Sequence, residues 1–376
     1  MQISLWRELW RSFRTLVTST ILLPLFRSRL GTFSRRISMP AGRAPSQHGI
    51  AAQLQHGIDC ACYFTDNFFV RSPIEGHFSY ENAASFSTEH ASLLESLAPP
   101  KRAELLSNLE AEAKRRHAVV DEAVSRKTRI RTEYVPTHAE LWTLWPQLWL
   151  RREFIELVSK AQRGGPSFKP PPQLAPGVYS IPIFTENYCR MLCEELDAFR
   201  ASGLPAGQPN SMNRYGTLLD ELGMGPGFLE PLMRDWLSPL CKALPPLAAV
   251  GGASLDHHKS FVVAYRLGED EELSAHFDNS EITLNCNLGR DFEEGELVFF
   301  GHKEGASAVP IAHHDWSEAG GVGHAVLHLG ANVHAALPIS SGERHNLVMW
   351  MRSSEHRRRA GCAMCGATDQ LLLAPR

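Results

Sequence analysis

The chain has 376 residues, of which 43% are hydrophobic and 21% are charged. This composition excludes an intrinsically disordered protein, and the length suits two or three domains because a single core rarely exceeds about 300 residues. A formal net charge of −3 argues against a basic surface for nucleic acid, so no nucleic-acid partner is expected. No run approaches the roughly 18 apolar residues that a transmembrane helix needs, and no feature indicates an oligomeric state.

Residues 1–50 differ in composition from the rest of the chain. They contain eight Arg, seven Ser, no Lys and a single acidic residue, Glu8. An Arg-rich, Ser-rich and acid-poor segment is typical of a mitochondrial or plastid transit peptide. Two alternatives stay open: a secretory signal, and a basic extension that is disordered or that precedes a true start at Met39. We therefore expect an organellar location if this segment is a transit peptide and a cytoplasmic location otherwise.

Residues 51–162 are predicted to form an N-terminal helical region. Apolar residues recur at near-helical spacing over 101–129, with charged residues between them, which is typical of a solvent-exposed amphipathic helix. Trp142, Trp145 and Trp149 then fall on one helical face, although a proline within this stretch must kink or end the helix. Aromatic residues at such spacing most often belong to a core, and a peptide-binding groove is the alternative.

The segment 163–177 (RGGPSFKPPPQLAPG) is predicted to be a linker. Its three consecutive prolines can neither continue a helix nor pair inside a sheet. The linker would separate the helical region from a domain over 178–353, which is followed by a tail over 354–376.

The domain after the linker has a different pattern of elements. A strand over 178–183 is followed by a helix that Thr185 caps and that runs to residue 201, and then by a second helix over 227–244. Short β-runs follow at 259–267, 272–278, 281–288, 295–300, 324–329 and 344–352. This pattern predicts an α+β fold in which helices support an antiparallel barrel or sandwich.

A candidate metal site lies in those strands. His276 and Asp278 are two residues apart, so in a strand both side chains lie on the same face. His334 supplies a third ligand ahead of the last strand. Two histidines and one carboxylate leave three coordination positions open, an arrangement that suits non-haem Fe(II) oxygenases.

Other histidines could serve in place of this set. His313, His314 and Asp315 repeat the pattern, with His324 or His328 as the distal ligand. The segment around His313 shows no strand signal, however, and is expected to be a loop.

Two further residues favour the first set. Arg344 opens the last strand ten residues after His334, and a buried Arg can bind a carboxylate through two parallel hydrogen bonds. Tyr265 lies in an adjoining strand and can add a phenolic hydrogen bond to the same carboxylate. We therefore interpret His276, Asp278 and His334 as metal ligands and catalytic residues, and Tyr265 and Arg344 as cosubstrate-binding residues.

The stretch 259–352 resembles the Fe(II)- and 2-oxoglutarate-dependent dioxygenase domain of the prolyl 4-hydroxylase and procollagen lysyl hydroxylase type. The motifs CACYFTDN (60–67), PNSMNRYG (209–216) and CAMC (362–365) narrow the resemblance to an animal branch of this family. The resemblance implies a double-stranded β-helix, or jelly roll, with its core at 257–353. It does not extend to residues 1–50.

The resemblance also implies an activity. His276, Asp278 and His334 would hold Fe(II), and Arg344 would anchor the distal carboxylate of 2-oxoglutarate, where prolyl 4-hydroxylases use Lys. The protein would use O2 to hydroxylate a lysine or proline of a protein substrate, release succinate and CO2, and depend on ascorbate. Two alternatives stay open: a catalytically silent scaffold that works through its Trp-rich region, and a dioxygenase that acts on nucleic acid.

Four cysteines and the segment 209–216 are secondary candidate sites. Cys362 and Cys365 have the spacing of zinc ligands, and Cys60 and Cys62 could complete a structural zinc site. Four ordinary reduced thiols are the alternative. The segment 209–216 contains Asn213 and Tyr215, for which contact with a substrate and a role in a turn or cap stay open.

Overall fold

The computed structural model describes residues 58–60, 67–70, 73–74, 76–289, 291–317 and 320–361. Residues 1–50, Cys62, Cys362 and Cys365 lie outside these ranges. For Cys60 the structure describes the backbone and not the side chain. The transit peptide and the zinc site therefore stay predictions.

Fifteen strands form three antiparallel sheets within the described residues. The strands are β1 (Ile58–Cys60), β2 (Asn67–Val70), β3 (Gly76–Ser79), β4 (Gln173–Ala175), β5 (Val178–Pro182), β6 (Gly216–Leu218), β7 (His257–Arg266), β8 (Leu273–His276), β9 (Ile282–Gly289), β10 (Phe292–Glu294), β11 (Leu297–His302), β12 (Ala312–His314), β13 (His324–Leu329), β14 (Asn332–Ala336) and β15 (Ile339–Arg352). The large sheet has the order β4-β5-β13-β9-β15-β7-β6, with β10 also paired to β15. The small sheet has the order β12-β11-β14-β8, and β1–β3 form a separate sheet.

All but one of the α-helices among the described residues come before β7 in the chain. The α-helices are α1 (Ala83–Glu89), α2 (Ala91–Ser96), α3 (Pro99–Glu133), α4 (Pro146–Trp149), α5 (Arg152–Arg163), α6 (Glu186–Ala201), α7 (Ser238–Ala243), α8 (Pro245–Ala248) and α9 (Ser354–Ala360). Short 3₁₀ and π segments occur at Ala139–Trp142, Gly225–Leu229 and Leu232–Leu237. No helix among the described residues is long and apolar enough to cross a membrane.

The large sheet is buried on both faces, and β9 shows how its sequence produces this. Leu284 and Cys286 belong to a hydrophobic cluster that includes Tyr188 and Leu192 of α6. The alternate residues Thr283 and Asn285 point to the opposite face, because successive side chains of a strand alternate. A second cluster joins the large and small sheets. The structure is therefore α+β, with antiparallel sheets and supporting helices, as the sequence predicts.

The cluster behind the large sheet also contains residues that precede the predicted linker. Trp149 and Phe154 of α4 and α5 pack in the same cluster as α6. The segment 163–177 therefore does not separate two hydrophobic cores, and its last residues form β4, which pairs with β5. The domain boundaries themselves stay predictions.

One predicted helix and its N-cap are confirmed, and two other predicted helices differ from the prediction. The Thr185 side chain accepts a hydrogen bond from the backbone N–H of Tyr188 at 3.3 Å, which confirms it as the N-cap of α6. The predicted helix over 227–244 is instead a series of π and α segments. The predicted exposed helix is longer, as α3, and buries Leu105 and Leu109 against the N-terminal sheet.

The prediction that three tryptophans share one helical face is wrong. Trp142 ends a 3₁₀ segment, Trp145 is extended and exposed, and Trp149 is buried in α4. The physical cause is Pro146, which begins α4 and cannot continue a helix from the residues before it.

The turn between β13 and β14 contains a glycine, Gly330, that lies close to the backbone of a facing loop. A β-carbon at Gly330 would lie 2.0 Å from the backbone oxygen of Ser280. We expect Gly330→Ala to lower the free energy of unfolding by about 1–3 kcal/mol, because the backbone of the facing loop must shift. Thermal or denaturant unfolding measures the loss. Gly305→Ala is the control, since its β-carbon would meet no atom within 4 Å; equal losses in the two variants would contradict the packing argument.

Candidate metal centre

Two imidazoles face each other across the pair β8–β14. The register of this pair places His276 opposite His334, and their ring centroids are 4.3 Å apart. The sequence indicated no strand around His334, because β14 has only five residues. Five residues are an ordinary length for a strand, but so short a run contains too little alternation of apolar and polar residues to be recognised as one.

Both imidazoles are held in the same tautomer by main-chain carbonyls. Nδ1 of His276 lies 2.8 Å from the Ser274 oxygen, and Nδ1 of His334 lies 3.0 Å from the Asn332 oxygen. A carbonyl oxygen only accepts, so in each ring Nδ1 carries the hydrogen and Nε2 keeps a lone pair. Histidine ligands of metals are commonly oriented in this way.

Asp278 completes the group, although it lies beyond the strand rather than inside it. Strand β8 ends at His276, and the N–H of Asp278 donates to the Gly330 oxygen at 2.9 Å. One carboxylate oxygen lies 3.6 Å from Nε2 of His276, and the other lies 3.8 Å from Nε2 of His334. The ligand atoms of the three residues all lie within 4.8 Å of one another. The structure thus brings together the three residues that the sequence singles out.

The protonation states suit a divalent cation. Burial and the neighbouring His334 lower the pKa of His276 to about 4, so this imidazole is neutral near pH 7. Burial raises the pKa of Asp278, but the imidazoles and a hydroxyl beside it outweigh burial and leave that pKa below its usual value. Two imidazole nitrogens and one carboxylate suit a first-row transition metal.

The hydroxyl beside Asp278 belongs to Thr283, which the sequence analysis did not identify. Its Oγ1 donates to Oδ2 of the carboxylate at 2.6 Å and also contacts the Ser280 hydroxyl. Thr283 lies in β9, on the face opposite the hydrophobic cluster. A threonine within an apolar strand carries no distinctive signal in one sequence.

All five predicted site residues line one pocket of ≈ 460 Å³. Arg344 is 1% exposed, and its guanidinium lies 4.3 Å from the ring centroid of Tyr265. It donates to the Gly295 oxygen, while its Nε has no hydrogen-bond partner among the described residues. Burial lowers the pKa of Arg344 and raises that of Tyr265. None of the described carboxylates forms an ion pair with this guanidinium, so the pocket contains a buried cation without a carboxylate partner among the described residues.

Four asparagines also line the pocket, two of them in strands of the large sheet and two in the segment before β6. Asn346 of β15 donates from Nδ2 to Oδ1 of Asn285 at 2.7 Å. Asn213 also lines the pocket, and Asn210 holds it there by donating to its side-chain oxygen at 2.9 Å. Asn210 itself accepts the N–H groups of Met212 and Asn213, so the turn role is that of Asn210.

The alternative ligand set does not assemble. His313 lies in strand β12, which corrects the expectation of a loop; three residues paired to a neighbouring strand are too short to detect. Its Nδ1 lies 2.7 Å from a Glu296 carboxylate oxygen at the surface. His324 and His314 do not line the pocket either.

His328, which the sequence offered as an alternative distal ligand, is beside the site without belonging to the group of three. It is fully buried, and its Nε2 lies 3.9 Å from Oδ2 of Asp278. Burial lowers its pKa to about 3, so it is neutral near pH 7.

Comparisons with known proteins show the family to which the chain belongs. Residues 130–249 match the model of the OGFOD2-like domain. The chain is 36% identical over 322 residues to 2-oxoglutarate and iron-dependent oxygenase domain-containing protein 2 of Xenopus tropicalis, covering 81% of this chain and 88% of that protein. Against the human protein of the same name it is 35% identical over 324 residues, covering 83% and 89%. It is also 26% identical over 236 residues to a procollagen lysyl hydroxylase and glycosyltransferase of Acanthamoeba polyphaga mimivirus, covering 58% of this chain and 24% of that one.

Because the Thr283 hydroxyl donates to Asp278, we expect its removal to weaken metal binding. Thr283→Val keeps the shape of the side chain but removes the hydrogen-bond donor to the carboxylate. We expect Fe(II) or Co(II) to bind on the order of 10–100-fold more weakly, as is usual when a group that orients a ligand is removed. Isothermal titration measures this. Thr217→Val, in β6 of the same sheet, is the control; an equal effect in both variants would show that the Thr283 hydrogen bond does not orient Asp278.

Proposed function

Because the chain belongs to the family of 2-oxoglutarate and iron-dependent oxygenase domain-containing protein 2, we propose that it is an Fe(II)- and 2-oxoglutarate-dependent dioxygenase that hydroxylates a protein side chain. The observation that carries this proposal is that His276, Asp278 and His334 share one pocket with Arg344, which has no carboxylate partner among the described residues.

The three ligands suit Fe(II) in donor type and number. His276 and His334 would supply two imidazole nitrogens and Asp278 one carboxylate oxygen, leaving half of an octahedral coordination sphere for other groups. Bound Fe(II) would activate O2 for hydroxylation, coupled to oxidation of 2-oxoglutarate to succinate and CO2. The role of the chain's own residues is to hold the ligands in place, orient the cosubstrate and keep water out of the pocket.

Arg344 fits the distal carboxylate of 2-oxoglutarate. A buried guanidinium without a carboxylate partner is costly, and a bound carboxylate would compensate its charge through short charge-assisted hydrogen bonds. Tyr265 lies against the guanidinium and restricts its orientation. The pocket residues therefore position an anionic cosubstrate between Arg344 and the metal ligands.

The architecture supports a double-stranded β-helix. The large and small sheets enclose the pocket, whose residues come from the facing strands β7, β9 and β15 on one side and β8, β11 and β14 on the other. All of these strands are paired antiparallel. This is the arrangement expected of two sheets that close as a jelly roll.

A lysine or proline of a protein is the proposed substrate. The support is the sequence similarity to a procollagen lysyl hydroxylase, together with the resemblance of the stretch 259–352 to the prolyl 4-hydroxylase and procollagen lysyl hydroxylase type. O2 and ascorbate complete the proposed set of small molecules.

The iron and cosubstrate sites are tested together by absorption spectroscopy. Anaerobic addition of 2-oxoglutarate to the Fe(II)-loaded protein should produce a visible metal-to-ligand charge-transfer band. His276→Ala should abolish the band because it removes a ligand. Arg344→Leu should keep iron but bind 2-oxoglutarate more weakly by about 2 kcal/mol or more, because it removes a buried charge partner.

Arg234→Leu is the control for loss of an arginine, because this side chain forms an exposed ion pair with Asp235. An unchanged 2-oxoglutarate affinity in Arg344→Leu would refute the anchor. A folded, iron-loaded protein that shows no band would refute the dioxygenase itself.

The substrate class has its own test. The protein should convert peptides containing lysine or proline to products heavier by one oxygen atom, with one succinate formed for each hydroxylation. Mass spectrometry of a peptide library, with Asp278→Ala as the inactive control, provides the measurement. Hydroxylation confined to other side chains, or to nucleic acid, would contradict the proposed substrate while leaving the iron site intact.

A further inference from the structure

A lysine lies at one end of the pocket. Lys259 is on β7, two residues before Phe261, so its side chain is on the pocket face of that strand. Its Nζ lies 5.7 Å from the ring centroid of Phe261 and 5.8 Å from that of Trp350, and both of these rings line the pocket. These distances are within the range of cation–π contacts, so the two rings hold the ammonium at this end of the pocket.

The ammonium of Lys259 has no carboxylate partner among the residues that the structure describes. Two acidic residues near it have other contacts: Glu221 forms an ion pair with Arg126 at 2.9 Å, and Asp220 lies 3.9 Å from His258. Burial lowers the pKa of Lys259, and the charges of Asp220 and Glu221, which act in the opposite direction, do not outweigh burial. The acidic residues of the described chain therefore do not compensate for the burial of this charge.

Trp350 adds a second hydrogen-bond donor at the same place. It lies directly opposite Lys259 in the register of β7 and β15. Its indole Nε1 is buried and has no hydrogen-bond partner among the described residues. An indole N–H only donates, and an ammonium carries three donors and no acceptor. Together the two side chains offer donors and a positive charge, which an anionic group would satisfy.

The register of the large sheet places Trp350 near the metal ligands and away from the cosubstrate anchor. Trp350 pairs with Thr283 of β9, whose hydroxyl donates to Asp278. Arg344 lies six residues before Trp350 on β15, which is about 20 Å along the strand. A 2-oxoglutarate molecule held between Arg344 and the metal ligands would therefore leave Lys259 and Trp350 uncovered.

The exposure of the pocket face also changes along these strands. Arg344 and Tyr265 are 1% and 4% exposed, whereas Lys259 and Trp350 are half-buried. The pocket is thus more open at the end that contains Lys259. A protein segment is too large to enter through the closed end, so the open end is where such a substrate would reach the metal ligands.

We propose that Lys259 and Trp350 bind an acidic side chain of the protein substrate, close to the residue that is hydroxylated. This inference rests on the proposed function, which supplies the metal and the reaction. An aspartate or glutamate carboxylate would accept hydrogen bonds from the ammonium and the indole, and it would compensate the charge of Lys259. The same ammonium would repel a basic side chain at that position, so the site selects by repulsion as well as by attraction.

Peptide binding without turnover tests the proposal. The full chain is kept anaerobic with Fe(II) and 2-oxoglutarate and is mixed with synthetic peptides that have lysine or proline at the centre and random residues around it. The peptides that bind should be enriched in Asp and Glu within about three positions of the centre. Replacing that acid by its amide should weaken binding by about 10-fold, because a charge partner of Lys259 is lost.

Charge reversal identifies the residue that reads the acid. Lys259→Glu should select peptides with Lys or Arg in place of the acid, whereas Lys259→Arg should keep the preference for acid. Lys242→Glu is the control and should also keep it, because Lys242 is exposed on α7, whose Leu240 and Cys241 pack in the cluster behind the large sheet.

The outcomes separate this inference from the proposed function. Bound peptides without enrichment in acid, or no bound peptide at all, would overturn the acidic-substrate site, whether or not any variant folds. An acidic preference that Lys259→Glu leaves unchanged, in a variant that still shows the charge-transfer band, would overturn the role of Lys259. If that variant loses the band, Lys259→Gln decides in its place and should lose the preference. Absence of the band in the wild-type protein would instead refute the dioxygenase itself.

Discussion

The register of β8 against β14 is the constraint on which the site depends. His276 and His334 are 58 positions apart in sequence numbering, and only the pairing that places them opposite each other brings both rings to one carboxylate. A slip by one residue would turn either imidazole to the other face of the sheet. The apolar neighbours Leu273 and Ala336, which pack in the cluster between the sheets, oppose such a slip.

A second constraint is that the polar groups of the site are fixed by the main chain rather than by one another. Carbonyl oxygens set the tautomers of the imidazoles, and the Gly330 oxygen accepts the N–H of Asp278. Thr283 is the residue that, in the part of the chain that the structure describes, provides a side-chain hydrogen bond to the carboxylate. Since the backbone holds these groups before any ligand binds, little rearrangement is needed to receive a cation, which favours binding.

Much of the site could be predicted from sequence, because His276, Asp278 and Arg344 occupy or adjoin strands with a clear pattern. Residues that act by supporting these groups could not be found, since a threonine or a glycine in a strand or turn has many ordinary roles. The roles of Thr283 and Gly330 are evident only from the atoms that the fold places next to them. Short strands such as β12 and β14 were missed for the related reason that their formation depends on pairing with distant segments.

The proposed dioxygenase requires iron among the three ligands in the pocket. Anomalous diffraction at the iron edge, from crystals prepared anaerobically with Fe(II), tests this most directly. We predict a single strong peak between Nε2 of His276, the Asp278 carboxylate and Nε2 of His334. A peak at another position, or a protein that binds no iron while these side chains keep their places, would contradict it.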